Sequence, residues 1–212
     1  DLTVFGDNRG WFKENWQREK MVKAGLPDFG PSQNNVSLNL NKGATRGIHT
    51  EPWDKFVSVS GGKVFGAWVD MREGHEHTVF TIEMDASTAV FVPRGVGNSY
   101  QALEDGTVYS YLVNDHWDGK TKYPALNLAD ETVAIPWPIP LDQAELSPKD
   151  RDENPRLAEA EKIPPKKVLI TGAYGQLGQA LLELFPDAEA VDMDSFNISD
   201  PKAYEGRRWR DY

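Results

Sequence analysis

Cysteine is absent from the 212 residues. That excludes disulfides, thiolate zinc sites and a cysteine nucleophile, and it fits a cytoplasmic protein. Histidine is scarce, at four residues. No apolar run approaches the roughly 18 residues a membrane span needs, and the start of the chain carries no signal-peptide pattern. Basic residues are in the minority: 23 Lys and Arg face 33 Asp and Glu, a net charge of -10. A field of that sign repels phosphate backbones and argues against broad nucleic-acid binding. An anionic small ligand could still enter a local basic pocket. The first residue is Asp1 rather than Met, so a natural start upstream of it is expected.

What is present can build a core: 39% of the residues are hydrophobic and 11% aromatic. Residues 33 to about 137 read as strands. "KFVSVSGG", "KVFGAWVDM", "TVFTIEM", "TAVFVPRG", "TVYSYLV" and "TVAIPW" are short, rich in Val, Phe, Tyr and Thr, and bounded by Gly, Asp, Asn or Pro. That pattern predicts an antiparallel sandwich or barrel. One helix is expected in this half, "ENWQREKMVKAG", stopped at Gly25. After Asp150 the style changes. "RDENPRLAEAEKIPPKK" is charged and proline-rich and reads as a linker over 151–165.

"KVLITGAYGQLGQALLELFPDAEAVDMD" follows: a strand, a glycine turn, an amphipathic helix and a second strand. This beginning of a βαβ unit belongs to a parallel α/β fold. Gly172, Gly175 and Gly178 are spaced G-x-x-G-x-x-G, with Gln176 and Leu177 between the last two, and Asp192 lies 20 residues after Gly172. Glycines let a backbone approach a pyrophosphate at a helix N-terminus, and the carboxylate could meet a ribose hydroxyl. The alternative is a glycine turn that only packs helix on strand. The segment resembles the short-chain dehydrogenase/reductase superfamily, closest to the dTDP-4-dehydrorhamnose reductases. The resemblance implies NAD(P)H as cofactor of an incomplete Rossmann-like segment over 166–212. The Tyr-x-x-x-Lys pair of such reductases is absent. The chain is therefore expected to be a fragment of a longer two-enzyme polypeptide, without reductase activity of its own.

His49, in "TRGIHTEPWDK", admits four readings: a structural histidine, a metal ligand, a general base or a phosphate binder. Metal-binding cupins carry His-x-His followed by Glu, then Pro-x-Gly-x-x-His. Here "IHTE" has one histidine, and "PRGVGN" places Asn98 where the last would stand. His49 and Glu51 are too few for a metal site, so none is expected. "HEH" at 75–77 reads as a solvated turn.

The first domain as a whole resembles the dTDP-4-dehydrorhamnose 3,5-epimerase family. The resemblance runs through "DNRGWFKE", "SQNNVSLN", "TRGIH", "GGKVFGAWVDMREG", "FVPRGVGNSYQAL", "YSYLVNDHW", "IPWPI" and "LSPKDRD". It implies a mainly β fold, a cupin-type jelly roll (a double-stranded antiparallel β-helix) over 1–150, which needs no cofactor. It implies epimerisation of dTDP-4-keto-6-deoxyglucose at C3 and C5 in dTDP-rhamnose biosynthesis, by a homodimer. By resemblance His49 is the base, Lys55 stabilises the enolate, Tyr111 is the acid and Asp150 supports His49. Arg9 and Arg46 hold the diphosphate, and Phe12, Glu14, Gln33, Asn35 and Asn98 complete the substrate site. Three departures stand out: a shorter 49–55 stretch, Asn98 in place of the usual His, and Gly66 in place of the usual Asp. They leave open a single-centre epimerase or a ketoisomerase. A non-catalytic nucleotide-sugar-binding domain is the reading from another class.

Overall fold

Alternation of apolar and polar residues over short runs makes strands wherever one face can be buried, and short continuous apolar runs make them where both can; the first two-thirds of the chain follow that rule. The computed structural model describes residues 1–75, 77–207, 209 and 212. A hairpin of β1 (Val4–Asp7) and β2 (Gly10–Lys13) is followed by a short helix, α1 (Arg18–Lys23). Then come β3 (Gln33–Asn39), β4 (Thr45–His49), β5 (Lys55–Gly61), β6 (Val64–Asp70), β7 (Val79–Met84), β8 (Ala89–Val92), β9 (Val96–Ala102) and β10 (Thr107–Val113). They form two four-stranded sheets, ordered β3-β10-β5-β8 and β4-β9-β6-β7. All pairings within both sheets are antiparallel. This is the mainly β, jelly-roll-like arrangement expected.

β6, inside the second sheet, is buried on both faces, which explains why "VFGAWVD" is apolar nearly throughout. Val64 and Trp68 join Val57, Val59, Met84, Val92, Tyr100 and Tyr109 in the core between the sheets. Phe65, Ala67 and Val69 point the other way, to Ile48, Met71, Leu126, Leu128, Val133, Ile135 and Leu157.

That outer core corrects two expectations. "TVAIPW" is not a strand: residues 131–137 run through turns and coil, and Val133 and Ile135 are buried as part of this cover. Nor is 151–163 a free linker. The first compact unit runs Asp1–Ile163. Leu157 and Ile163 are each 6% exposed. The Leu157 N–H donates to Asp130 Oδ2 at 2.7 Å, and Ile163 exchanges backbone hydrogen bonds with Met71 and Glu73 at 3.3 Å. The linker composition misled because its few apolar residues are the ones that anchor it. The expected helix is shorter than "ENWQREKMVKAG": Gln17 caps α1, accepting from the Lys20 N–H, and Gly25 ends the segment at φ +96°.

The second unit is Pro164–Tyr212. β11 (Leu169–Thr171) and β12 (Glu189–Val191) pair in parallel and are joined through α2 (Gln176–Leu184), a small βαβ.

Candidate active site

Between the two sheets lies a cavity of about 160 Å³ lined by Ser37, Arg46, His49, Glu51, Lys55, Asn98, Tyr100, Tyr109 and Tyr111. Strand alternation delivers most of these residues. On β10, Tyr109 and Tyr111 share the inner face, opposite Ser37 and Asn35 of β3, and Tyr111 also faces Val57 of β5. Lys55 lies two residues before Val57 and shares its face. On β9, Asn98 and Tyr100 project inward by the same period.

β4 breaks the period, and the break makes the site. Arg46 and His49 are an odd number of residues apart and would face opposite ways in a regular strand. Arg46 pairs with Tyr100 and His49 with Asn98, so three steps on β4 match two on β9, a bulge. Both side chains therefore reach the cavity, while Ile48 joins the outer core. Gly47 has φ +121°, and a Cβ there would lie 2.5 Å from Ser99 Cβ and 2.7 Å from the Asn98 carbonyl oxygen. Only glycine fits that turn.

His49 Nε2 lies 3.0 Å from Asp150 Oδ1. Asp150 sits in a π-helical turn, Lys149–Glu153, and is 5% exposed. Burial pushes its carboxyl up. The hydrogen bond and charge of His49, with Ser147 and the Gly47 N–H, outweigh that and hold it below the ordinary value. A carboxylate only accepts, so Nε2 carries the proton and Nδ1 is left to take one.

Lys55, 3% exposed, is ion-paired with Glu51. Burial first, then the charge of Glu51 and the neighbouring Tyr100, push Tyr111 up to about 12 against the opposing Arg46. Tyr111 therefore holds its proton throughout the neutral range. Arg46 Nε donates to Asn39 Oδ1 at 3.0 Å. Asn98 Oδ1 accepts from Trp68 Nε1 at 2.9 Å and from the Tyr109 hydroxyl at 3.0 Å, leaving its amide nitrogen as donor. The Trp68 ring occupies the space a Cβ on Gly66 would need, so Gly66 and Asn98 go together: one makes room for the indole and the other accepts from it.

A wider cleft of about 640 Å³ shares His49, Glu51 and Tyr111 and is also lined by Asn35, Trp53, Trp117, Lys120, Lys122, Tyr123 and Lys149. Sequence reasoning missed Lys149, the lysines of 120–122, Trp53 and Tyr123. Lys149 could have been found as the neighbour of Asp150; the others lie on two loops without regular spacing. Gln33 supports this wall by donating to Asn35 Oδ1 at 2.8 Å and accepting from the Trp117 N–H at 3.1 Å.

Arg9, Phe12 and Glu14 are not brought to this site. Arg9 and Phe12 line a separate groove on the β1–β2 hairpin, where Arg9 pairs with Asp7. Glu14 pairs with Lys20 at 2.8 Å. Among the described residues no group of three His, Cys, Asp or Glu is placed to hold a metal ion. In the second unit, Gly172 has φ +64° and Gly178 packs against it with no room for a Cβ. Gln176 and Leu177 open α2, Gly175 is its N-cap, and Asp192 follows β12, accepting from the Met193 N–H at 2.7 Å.

Comparison with known proteins bears on the first unit. A family model described as dTDP-4-dehydrorhamnose 3,5-epimerase matches residues 1–159. A protein named RmlC homolog from Streptococcus pyogenes serotype M6 is 48% identical over 174 residues, 78% of this chain and 87% of that protein. The dTDP-4-dehydro-6-deoxyglucose 3-epimerase of Streptomyces bikiniensis is 31% identical over 170 residues, 76% of this chain and 84% of its own. The structure of RmlC from Streptococcus suis in complex with dTDP-D-xylose superposes with a TM-score of 0.72 at 47% identity, covering 77% of this chain and 87% of that one. The reductase start expected over 166–212 finds no support in these comparisons. With His49, Lys55 and Tyr111 around one cavity and three-quarters of the chain matched, the protein belongs to the dTDP-4-dehydrorhamnose 3,5-epimerase family and is an epimerase.

Proposed function

We propose that the first unit epimerises dTDP-4-keto-6-deoxyglucose at C3 and C5, in dTDP-rhamnose biosynthesis, by removing and returning a proton beside the C4 ketone. His49 Nδ1 takes the proton. Lys55 meets the charge that moves onto the carbonyl oxygen. Tyr111 returns a proton from the other side, and Asp150 holds the His49 ring in place. The cation beside the developing oxyanion contributes about 3–4 kcal/mol for one such donor, comparable with the roughly 10²–10⁴-fold, or about 3–5 kcal/mol, of a positioned base.

One observation carries this reading. His49 comes from one sheet, and Lys55 and Tyr111 come from the sheet facing it. A planar enolate held between two sheets meets a base on one face and an acid on the other, which inversion requires. Arg46, Lys120, Lys122 and Lys149 supply positive charge for a diphosphate in a protein whose net charge is -10. The site needs no metal and no organic cofactor. The test is incubation with dTDP-4-keto-6-deoxyglucose in D₂O, followed by NMR of the sugar. Deuterium at both C3 and C5 with inversion is the expected result; no exchange at either carbon ends the proposal.

Exchange at one carbon alone selects the second reading, a single-centre epimerase. Asn98, a neutral amide where the family usually has a titratable histidine, favours it, as does the likeness to a 3-epimerase. For 164–212 we propose no activity. Gly172 and Gly178 fit the approach of a dinucleotide's phosphates, but a two-stranded sheet with one helix leaves a face uncovered.

A further inference from the structure

His49, Lys55, Tyr111 and Asp150 leave one carboxylate of the cavity without a role. Glu51 lines both the wide cleft and the inner cavity. It is ion-paired with Lys55, and the two side chains are 18% and 3% exposed. An ammonium buried that deeply needs a counter-charge. The loop that carries Glu51, residues 50–54, is itself held. Asp54 accepts from the Arg94 N–H at 2.8 Å and from Asn114 Nδ2 at 3.1 Å, and donates its own N–H to Asn114 Oδ1 at 2.9 Å. Arg94 Nη1 donates to the Pro52 carbonyl at 2.9 Å. Trp53, 4% exposed, meets the ring of Tyr123 edge-on at 4.8 Å. Glu51 is thus a fixed anion rather than a wandering surface carboxylate.

We propose that Glu51 is a positioning residue for the epimerisation: it anchors the Lys55 ammonium beside the carbonyl oxygen of the substrate and sets the charge of the cavity that the protons cross. This rests on the activity proposed above. An ammonium has three N–H donors. The Glu51 carboxylate engages Lys55 from the loop side and leaves donors for the enolate oxygen. The same charge acts on Tyr111. Burial comes first and Glu51 second among the causes that raise this phenol, and Arg46 opposes them. The other titratable groups around Glu51 are Arg46 and His49 on β4, Tyr100 on β9 and Tyr109 on β10. Lys120, Lys122, Tyr123 and Lys149 stand across the cleft, and Asp150 stands behind His49.

Two variants of the full chain separate position from charge. Glu51→Gln keeps the shape and an acceptor oxygen but loses the charge. Glu51→Asp keeps the charge but reaches less far. Deuterium wash-in to dTDP-4-keto-6-deoxyglucose gives kcat and KM across pH. NMR of ¹³Cζ-tyrosine in the substrate-free protein, with Tyr111 assigned by Tyr111→Phe, follows the phenol. In Glu51→Gln, kcat is expected to fall tenfold or more with KM within about twofold, and Tyr111 is expected to ionise at lower pH, so that activity fails earlier on the alkaline side. In Glu51→Asp, Tyr111 is expected to ionise as in the parent while kcat still falls. Parental kcat in Glu51→Asp overturns the positioning role, and a parental Tyr111 titration in Glu51→Gln overturns the charge role. If the parent protein washes in no deuterium, the activity proposed above fails, and the tyrosine titrations still decide the part played by the charge.

Discussion

At the scale of single residues, the site divides the labour of one proton transfer between two sheets. His49 is held by Asp150 at 3.0 Å and Tyr111 is kept a hydroxyl by burial and by Glu51. The two roles give different failures. His49→Ala is expected to lose both turnover and deuterium wash-in. Tyr111→Phe loses only the proton that returns on the far face, so net epimerisation should stop while exchange at a carbon beside the ketone persists, read by NMR in D₂O. Normal exchange in His49→Ala would remove the base from the scheme. Asp150 adds a pH dependence. Its carboxyl is held below the ordinary value near 3.9. A depressed carboxyl contributes stability that is present above the unfolded value and lost as pH falls through the folded one. Asp150→Asn is therefore expected to flatten the acid side of the stability curve below about pH 4, measured by denaturant unfolding, and to lower kcat on the order of 10²–10⁴-fold. An unchanged acid limb would mean the pair contributes nothing to folding.

At the scale of elements, polar strands fit a sandwich when their hydrogen bonds close. β9, "VGNSYQA", does not read as a strand by composition, yet it lies between β4 and β6. Ser99 donates to the Ala67 carbonyl at 2.7 Å, and Gln101 donates to Thr45 Oγ1 at 3.0 Å and to the Ile139 carbonyl at 2.9 Å. Buried polar groups satisfied in this way remove the penalty that would otherwise exclude them. Its neighbour β4 carries the bulge that turns Arg46 and His49 into one cavity. Gly47→Ala forces a side chain into a positive φ and against the β9 backbone. We expect a loss of at least about 2 kcal/mol by thermal unfolding, together with loss of activity as His49 is re-aimed. Parental stability would show that the bulge can relax.

At the scale of the whole molecule, the outer core of the first unit depends on a segment that looks expendable. Leu157→Ala is expected to destabilise by about 2–5 kcal/mol and to open 151–163 to protease. The parent should instead be cut first after the exposed Lys166 or Lys167, with fragment masses read by mass spectrometry. First cleavage at Arg151 or Arg156 in the parent would contradict the packing of this stretch. The surface also carries Phe5 at 61%, Phe12 at 67%, Leu38 at 55% and Leu40 at 70% exposure, apolar area of the kind a partner covers. If the chain forms the homodimer that the resemblance implies, a second copy would cover it. In that assembly Arg9 and Phe12, remote from their own chain's cleft, would serve the other copy's. Mixing inactive Arg9→Ala and His49→Ala chains through denaturant should then restore part of the activity, because one site of each mixed dimer is intact. No recovery would place Arg9 outside the substrate site.

The order of chemistry-bearing residues was legible without any structure. "TRGIH", the lysine that follows, "YSYLV" and "SPKDRD" stand in one line of text, and the strand period places Tyr109, Tyr111 and Lys55 on inner faces. What the line of text could not decide was where the period fails. A bulge is one extra residue in a pairing register, and register is a property of two strands at once. Only the pairing of β4 with β9 brought Arg46 and His49 to the same side. Only the cover over the second sheet turned a charged, proline-containing stretch into part of a core. Burial of a few apolar side chains outweighs composition, and which ones are buried depends on partners far away in sequence.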